Sequence, residues 1–338
     1  MNNRKELPVA QSPITGLQYL AYPLSILLNH KECFPWFYSN YIQLQWNKKF
    51  APHFTFFIDN FLMNIPWLDM PSLNRRILQF NKIDLELFII NSIDEGYYFH
   101  SYFDEFFIPN RLAFQNQHFV HDFMITGYDL EKREYTILGF TKGRVFETCN
   151  VTFSDFYKAY NSTECLERGN YWEYQVKLLR KTEDIKYEFD MHNVYDLLQD
   201  YLFSRDSSQR LRLYRNPESI NIYGMEVYTY LRKYLGLLIK KEVARDLRPL
   251  YIFYEHKKCM AMRIKYMIEN KFIQNTPEMM NTFVNIENSA SLLYKLQIKH
   301  QFNNNPEMLQ QIIERLYKLE DVEKQVMELT LEAIYKKI

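Results

Sequence analysis

FDEFFIPNRLAFQNQHFVHDFMITGYDLEKREYTILGF, residues 103–140, carries two apolar, β-branched and aromatic runs separated by a short polar turn. HDFMITGY (121–128) reads as a strand, DLEKRE as the turn, and YTILGF (135–140) as the strand that returns beside it. Working outward, TKGR and residues 145–152 add a third run, so the centre of the first half is an antiparallel meander. On its N-terminal side, residues 84–95 have a helical period that stops at Gly96, a natural C-cap, and 97–104 is aromatic and strand-like. On its C-terminal side, TFSDFYKAY (152–160) restarts a helix behind a Thr/Ser start signal. Near the N-terminus, TGLQYLAYPLSILLN (15–29) reads as a helix with a Thr cap, apolar almost all round and therefore buried, in spite of Pro23.

Beyond about residue 190 the strand signals fade. Helical patterns cover 194–203, 225–242, 249–270, 287–301 and 306 to the end, where Leu309, Ile312, Ile313, Leu316, Leu319, Val326 and Leu329 recur at spacings of three and four. The chain therefore reads as α+β, a helix plus antiparallel sheet over residues 1–185 followed by a helical bundle over 186–338. The charged stretch KTEDIK (181–186) marks the boundary.

Composition excludes some classes of function. Lys and Arg number 41 against 41 Asp and Glu, so no global field draws in nucleic acid or an anionic membrane surface. No run of 18 apolar residues offers a membrane span, and the N-terminus lacks a secretory h-region, which makes the cytoplasm the expected location. The 27 Tyr and 26 Phe against 8 Gly indicate dense aromatic packing. Cys33, Cys149, Cys165 and Cys259 form no C-x-x-C pair, so neither a zinc site nor a disulfide scaffold is expected.

The pattern H-x-x-x-x-x-G-Y-D, His121 through Asp129, resembles the strand that opens with the general-base His in papain-like cysteine peptidases of the bacterial kind, and in particular the family of the N-terminal domain of butirosin-biosynthesis protein H. The order of elements is similar over roughly residues 10–165. IYGMEVYTYLRKYL (222–235) and RDLRPLYIFYEHKKCMAMRI (245–264) look like the tail of related proteins from bacterial secondary-metabolite clusters. The resemblance implies a papain-like fold, a catalytic His at His121, and a cleft between the first helix and the His strand. It also implies a thiolate at the start of that helix, where helix dipole and imidazole lower its pKa. Residues 16–22 supply no Cys or Ser, and the nearest thiol, Cys33, is more than ten residues on. The group that orients the imidazole is expected on the returning strand, where Gly139 has no side chain to do so.

His121 is thus expected to face residues 17–22, with Tyr19 or Tyr22 in the nucleophile's place. Gln18, Tyr19, Tyr22, Asp104, His118 and Tyr128 are candidate ligand-binding residues around it. Of the adjacent Asp104 and Glu105, which point to opposite faces, one reads as a solvated edge charge. His118 and His121 on a loop entering a strand do not make a metal site, and no cofactor is implied. Glu255, His256, Lys257 and Lys258, with Arg245, Asp246 and Arg248, read as an ion-paired surface.

Three functional readings follow. One is a nucleophile-less relative that keeps the cleft and binds an acyl or peptidyl group, with a carrier protein as partner. Another is an active acyl- or aminoacyl-transferring enzyme, or a peptidase, with a displaced nucleophile such as Cys33. The last is an interaction module that dimerises through its helical half.

Overall fold

The computed structural model describes residues 3–50, 54–57, 65–167, 174–183, 185–210, 220–274 and 276–338. In chain order the strands are β1 (Arg4–Glu6), β2 (Leu44–Asn47), β3 (Thr55–Phe56), β4 (Leu68–Asp69), β5 (Ser72–Asn74), β6 (Tyr98–Asp104), β7 (Val120–Asp129), β8 (Glu134–Phe140), β9 (Phe146–Thr152), β10 (Gln175–Lys181) and β11 (Asn221–Tyr223). The helices are α1 (Gln18–Leu27), α2 (Phe34–Ser39), α3 (Arg75–Phe80), α4 (Leu85–Asp94), α5 (Phe153–Tyr160), α6 (Thr163–Glu167), α7 (Met191–Leu202), α8 (Glu226–Ile239), α9 (Arg248–Glu269), α10 (Pro277–Asn303) and α11 (Pro306–Tyr335). The chain is mixed α+β and divides into two compact units, Met1–Lys31 with Met63–Ile185 and Glu32–Leu62 with Lys186–Ile338.

The first unit is built on an eight-stranded antiparallel sheet in the order β4-β10-β6-β7-β8-β9, with β1 paired to β7 and β5 to β10. Successive side chains of β6 point to opposite faces, and both faces are covered. Tyr22 of α1 packs on His100 and Phe146, with ring centroids 5.1 and 5.8 Å apart. On the opposite face Phe88 of α4 meets Phe99, and Phe156 of α5 meets Phe103 and Tyr135. Local signals account for the helix ends. Asp84 caps α4 by accepting from Leu87 N, Gly96 beyond it takes φ +85°, and Thr152 caps α5 by accepting from Asp155 N. The expected Thr15 cap differs: α1 starts later, at Gln18, behind Leu17, which offers no side-chain acceptor.

Gly127 of the Gly-Tyr-Asp triplet has a steric reason. β7 shifts register between Ile125 and Gly127, and past that bulge β1 pairs with it, Glu6 opposite Gly127. A Cβ on Gly127 would stand 2.6 Å from Lys5 O and 2.9 Å from Glu6 Cα, both main-chain atoms.

The second unit contains a three-stranded sheet, β11-β2-β3, and helices α2 and α7 to α11. Residues 32–62 fall in this unit and not with the rest of the first 185, and within them residues 38–42 are held to α9 by buried cationic and imidazole donors. Arg263 donates to the carbonyls of Tyr38, Asn40 and Tyr41, and His256 Nε2 donates to Ile42 O. The sequence around His256 does not form a surface either: Glu255, His256 and Lys257 are buried. Lys257 Nζ lies 2.8 Å from Glu323 of α11, and the hydroxyls of Tyr201 and Tyr228 donate to the same carboxylate. The pair Asp246–Arg248 does lie at the surface. Strand β10, for which the sequence offered no reading, ends where the expected boundary stretch 181–186 begins and pairs with β6.

Gly127→Ala should lower stability by about 1–3 kcal/mol, read by urea denaturation, with faster amide exchange in residues 4–6. Unchanged stability would mean that β1 does not approach β7 as closely as described.

Candidate functional site

The first residue of α1 and the start of β7 meet at one end of the sheet. Gln18 Nε2 is 2.8 Å from Asp122 O, 3.0 Å from Asp122 Oδ1, 3.3 Å from His121 Nδ1 and 2.6 Å from Tyr22 Oη. One turn further along α1, Tyr22 donates to Asp122 O at 3.0 Å. From β6, His100 Nε2 lies 3.0 Å from Asp122 Oδ2, and His121 Nδ1 lies 3.4 Å from Asp122 Oδ1. Three elements therefore converge on one carboxylate. His100 reaches it because Asp122 stands opposite Tyr102 in the β6–β7 register, on the same face as His100, two residues away.

The electrostatics follow from burial and partners. Burial pushes the Asp122 carboxyl up. The hydrogen bond from His100 and the charges of His121 and His100 outweigh this and hold it below the ordinary aspartate value. The Tyr22 phenol is pushed well up by burial and further by Asp122, so it stays protonated and acts as a donor. Glu105, in the turn that follows β6, is also buried, and burial raises its carboxyl although His121 and Arg111 pull it down. Asp104 is fully buried as well, so neither acid is a solvated edge charge.

Gln18, Tyr22 and His121 thus come together as expected, but the residue facing the imidazole from the helix is Gln18, not Tyr19 or Tyr22. Tyr19 is 39% exposed. Asp104 and His118 pair with each other. Asp104 Oδ2 is 2.6 Å from His118 Nδ1, and Oδ1 accepts from Phe106 N and Phe119 N, which fixes the turn leading back to β7. Tyr128, past the bulge, donates to Asp94 Oδ1 at 2.7 Å and ties β7 to α4. Cys33 belongs to the second unit and is buried at the start of α2. Burial raises the thiols of Cys149 and Cys165, and that of Cys259 to about 12.

Asp122, His100 and Arg111 were not legible from the sequence as members of this cluster. Gly139 leaves room for Arg111, whose Nη1 and Nη2 would be 2.9 Å from a Cβ there. Arg111 is buried and donates to Phe140 O. A guanidinium thus stands against the returning strand, and the carboxylate beside the imidazole comes from the residue that follows His121 in sequence.

The His121 side chain is 38% exposed, and its Nε2 has no partner among the described residues. The groups within hydrogen-bond reach of its Nδ1 are an amide nitrogen and the oxygens of Asp122, none of which is a thiol or hydroxyl nucleophile. Among the described residues no group of three or more His, Cys, Asp or Glu could hold a metal ion, and no helix is long and apolar enough to cross a membrane. A scan against models of known protein families finds no match to this chain, and a search of curated proteins finds none either.

The lowered Asp122 pKa gives a signed pH dependence. Its contribution to stability is complete above the unfolded aspartate value, about 3.9, and is lost as pH falls through the depressed folded value. Asp122→Asn should therefore cost about 1–3 kcal/mol at pH 7 and give a shallower loss of stability below pH 4. An identical acid limb in urea denaturation of parent and variant would contradict this assignment.

Proposed function

We propose that the first unit is a cysteine-peptidase-like domain, of the butirosin-biosynthesis protein H type, that lacks its nucleophile and binds an acyl or peptidyl group. Its role is accessory, in bacterial peptide or secondary-metabolite biosynthesis, with a carrier protein as the partner that presents the group. The observation that carries this reading is Gln18. Gln18, at the start of a buried helix, lies 3.3 Å from the Nδ1 of a strand-borne imidazole, and Asp122 lies 3.4 Å from the same nitrogen, whereas a working triad sets nucleophile and acid on opposite ring nitrogens. On this reading the Gln18 carboxamide takes the place of the family's thiol.

An amide there is a hydrogen-bonding group without reactivity, suited to holding a carbonyl and not to attacking it. The nearly exposed edge of His121 supports the same reading, since its unpartnered Nε2 offers a polar contact to a ligand. Burial of the Cys149, Cys165 and Cys259 thiols, which keeps them protonated, speaks against a displaced nucleophile among them.

Restoring the thiol tests this directly. In Gln18→Cys the new thiol should be alkylated by iodoacetamide well below the pH of about 8.5 at which a free cysteine ionises, and His121→Ala in the same chain should remove that acid-side reactivity. Labelling that follows an ordinary thiol profile and ignores His121 would overturn the proposal. The parent chain, given an acetyl-pantetheine thioester, should release no free thiol. Catalytic release would show an active enzyme instead.

A further inference from the structure

The second unit contains a cavity of about 360 Å³ that the reading above does not use. Its walls are Trp46 on β2, Phe50 and Phe54 beyond that strand, Tyr234 on α8, and Pro249 and Ile252 in the first turns of α9. The ring of Trp46 lies 5.1 Å from Phe50, 5.2 Å from Phe54 and 5.8 Å from Tyr234, so the surface is predominantly aromatic. The wall is held in shape without a ligand. The Tyr234 hydroxyl accepts from Asp246 N at 2.8 Å and lies 3.1 Å from Ala244 O, and Gln297 of α10 donates to Asp246 O.

Two features give this cavity a chemical preference. Trp46 is almost entirely buried and lines the cavity, yet its indole N–H has no hydrogen-bond partner among the described residues. An indole N–H is a donor only, so in that state it can take a ligand's acceptor. The charges nearby are mostly positive: Lys49 and Arg248 line the cavity and Lys233 sits over the Phe50 ring, while Asp246 supplies one carboxylate and is already paired to Arg248. Aromatic walls with a few placed polar groups, and a volume near the lower end of the usual 300–1,000 Å³, are the attributes of a site for a small ligand.

We propose that this cavity binds a small planar aromatic carboxylate of one or two rings, with its ring against Trp46 and Tyr234 and its carboxylate read by the Trp46 N–H and by Lys49. The inference is independent of the Gln18 site. A neutral analogue of the same shape would keep the stacking and lose the charge contact, and a cationic one would be repelled.

Calorimetric titration of the full chain with indole-3-acetate and with its neutral isostere indole-3-acetamide tests the proposal. Saturable binding of the acid, about tenfold tighter than the amide, is expected. Lys49→Glu, a change at an exposed position, should remove that preference while leaving the amide's affinity alone. Trp46→Phe, with its fold checked by thermal melting, should weaken the acid more than the amide. Absence of saturable binding by indole-3-acetate and 4-hydroxyphenylacetate, equal affinity for acid and amide, or a Lys49→Glu chain that binds like the parent would each overturn it.

Discussion

A carboxylate removed from water is tolerated only where its charge is compensated and its oxygens are hydrogen-bonded; in the first unit Asp104 meets that constraint through His118, and at the candidate site it falls on Asp122. Its oxygens are met from three directions, by Gln18 of α1, His100 of β6 and the neighbouring His121. These contacts fix how α1 lies on the sheet. Once the amide and the Tyr22 hydroxyl are both bonded to residue 122, the start of the helix has little freedom to slide along β7. The same contacts fix which side chain confronts the imidazole. The polar, ordered character of this end of the sheet is therefore a consequence of satisfying a buried charge.

The second unit obeys the same constraint with opposite sign. Lys257 is fully buried, and its charge is balanced by Glu323 and surrounded by the rings of Tyr201, Tyr228 and Phe253. Burial pulls its pKa down while Glu323 pulls it back up. Among the described residues Arg263 has no carboxylate within ion-pair distance and uses main-chain carbonyls instead, and burial lowers it to about 10. Those carbonyls belong to residues 38–41, so the cation that stabilises α9 also decides to which unit a distant segment belongs.

How much of this could be read from sequence depended on the range of the interaction. Elements set by neighbours in the chain were legible: the Asp84 cap, the Gly96 stop, the alternation in β7 and β8, and the Pro306 start of α11. Strand β10 was not, because Lys177, Arg180 and Lys181 give it a charged appearance, whereas in the sheet only Val176 and Leu179 need be buried. The cluster around His256 read as surface because its counter-charge, Glu323, lies 66 residues away. The meeting of Gln18 and Tyr22 with the start of β7 was expected from the sequence, which had His121 facing residues 17–22. Asp122 and His100 required the strand register, which no local pattern carries. Gly139 read as a missing orienting group, and only the position of Arg111 shows what its absent side chain admits.

The central claim is that Gln18, His121 and Asp122 act as one coupled group. A double-substitution cycle between Gln18→Ala and Asp122→Ala, measured by urea denaturation at pH 7, tests it most directly. Contacting residues in one hydrogen-bond network should show an interaction energy of about 1 kcal/mol or more. Effects that add to within about 0.3 kcal/mol would show the two residues to be energetically independent and would contradict the account.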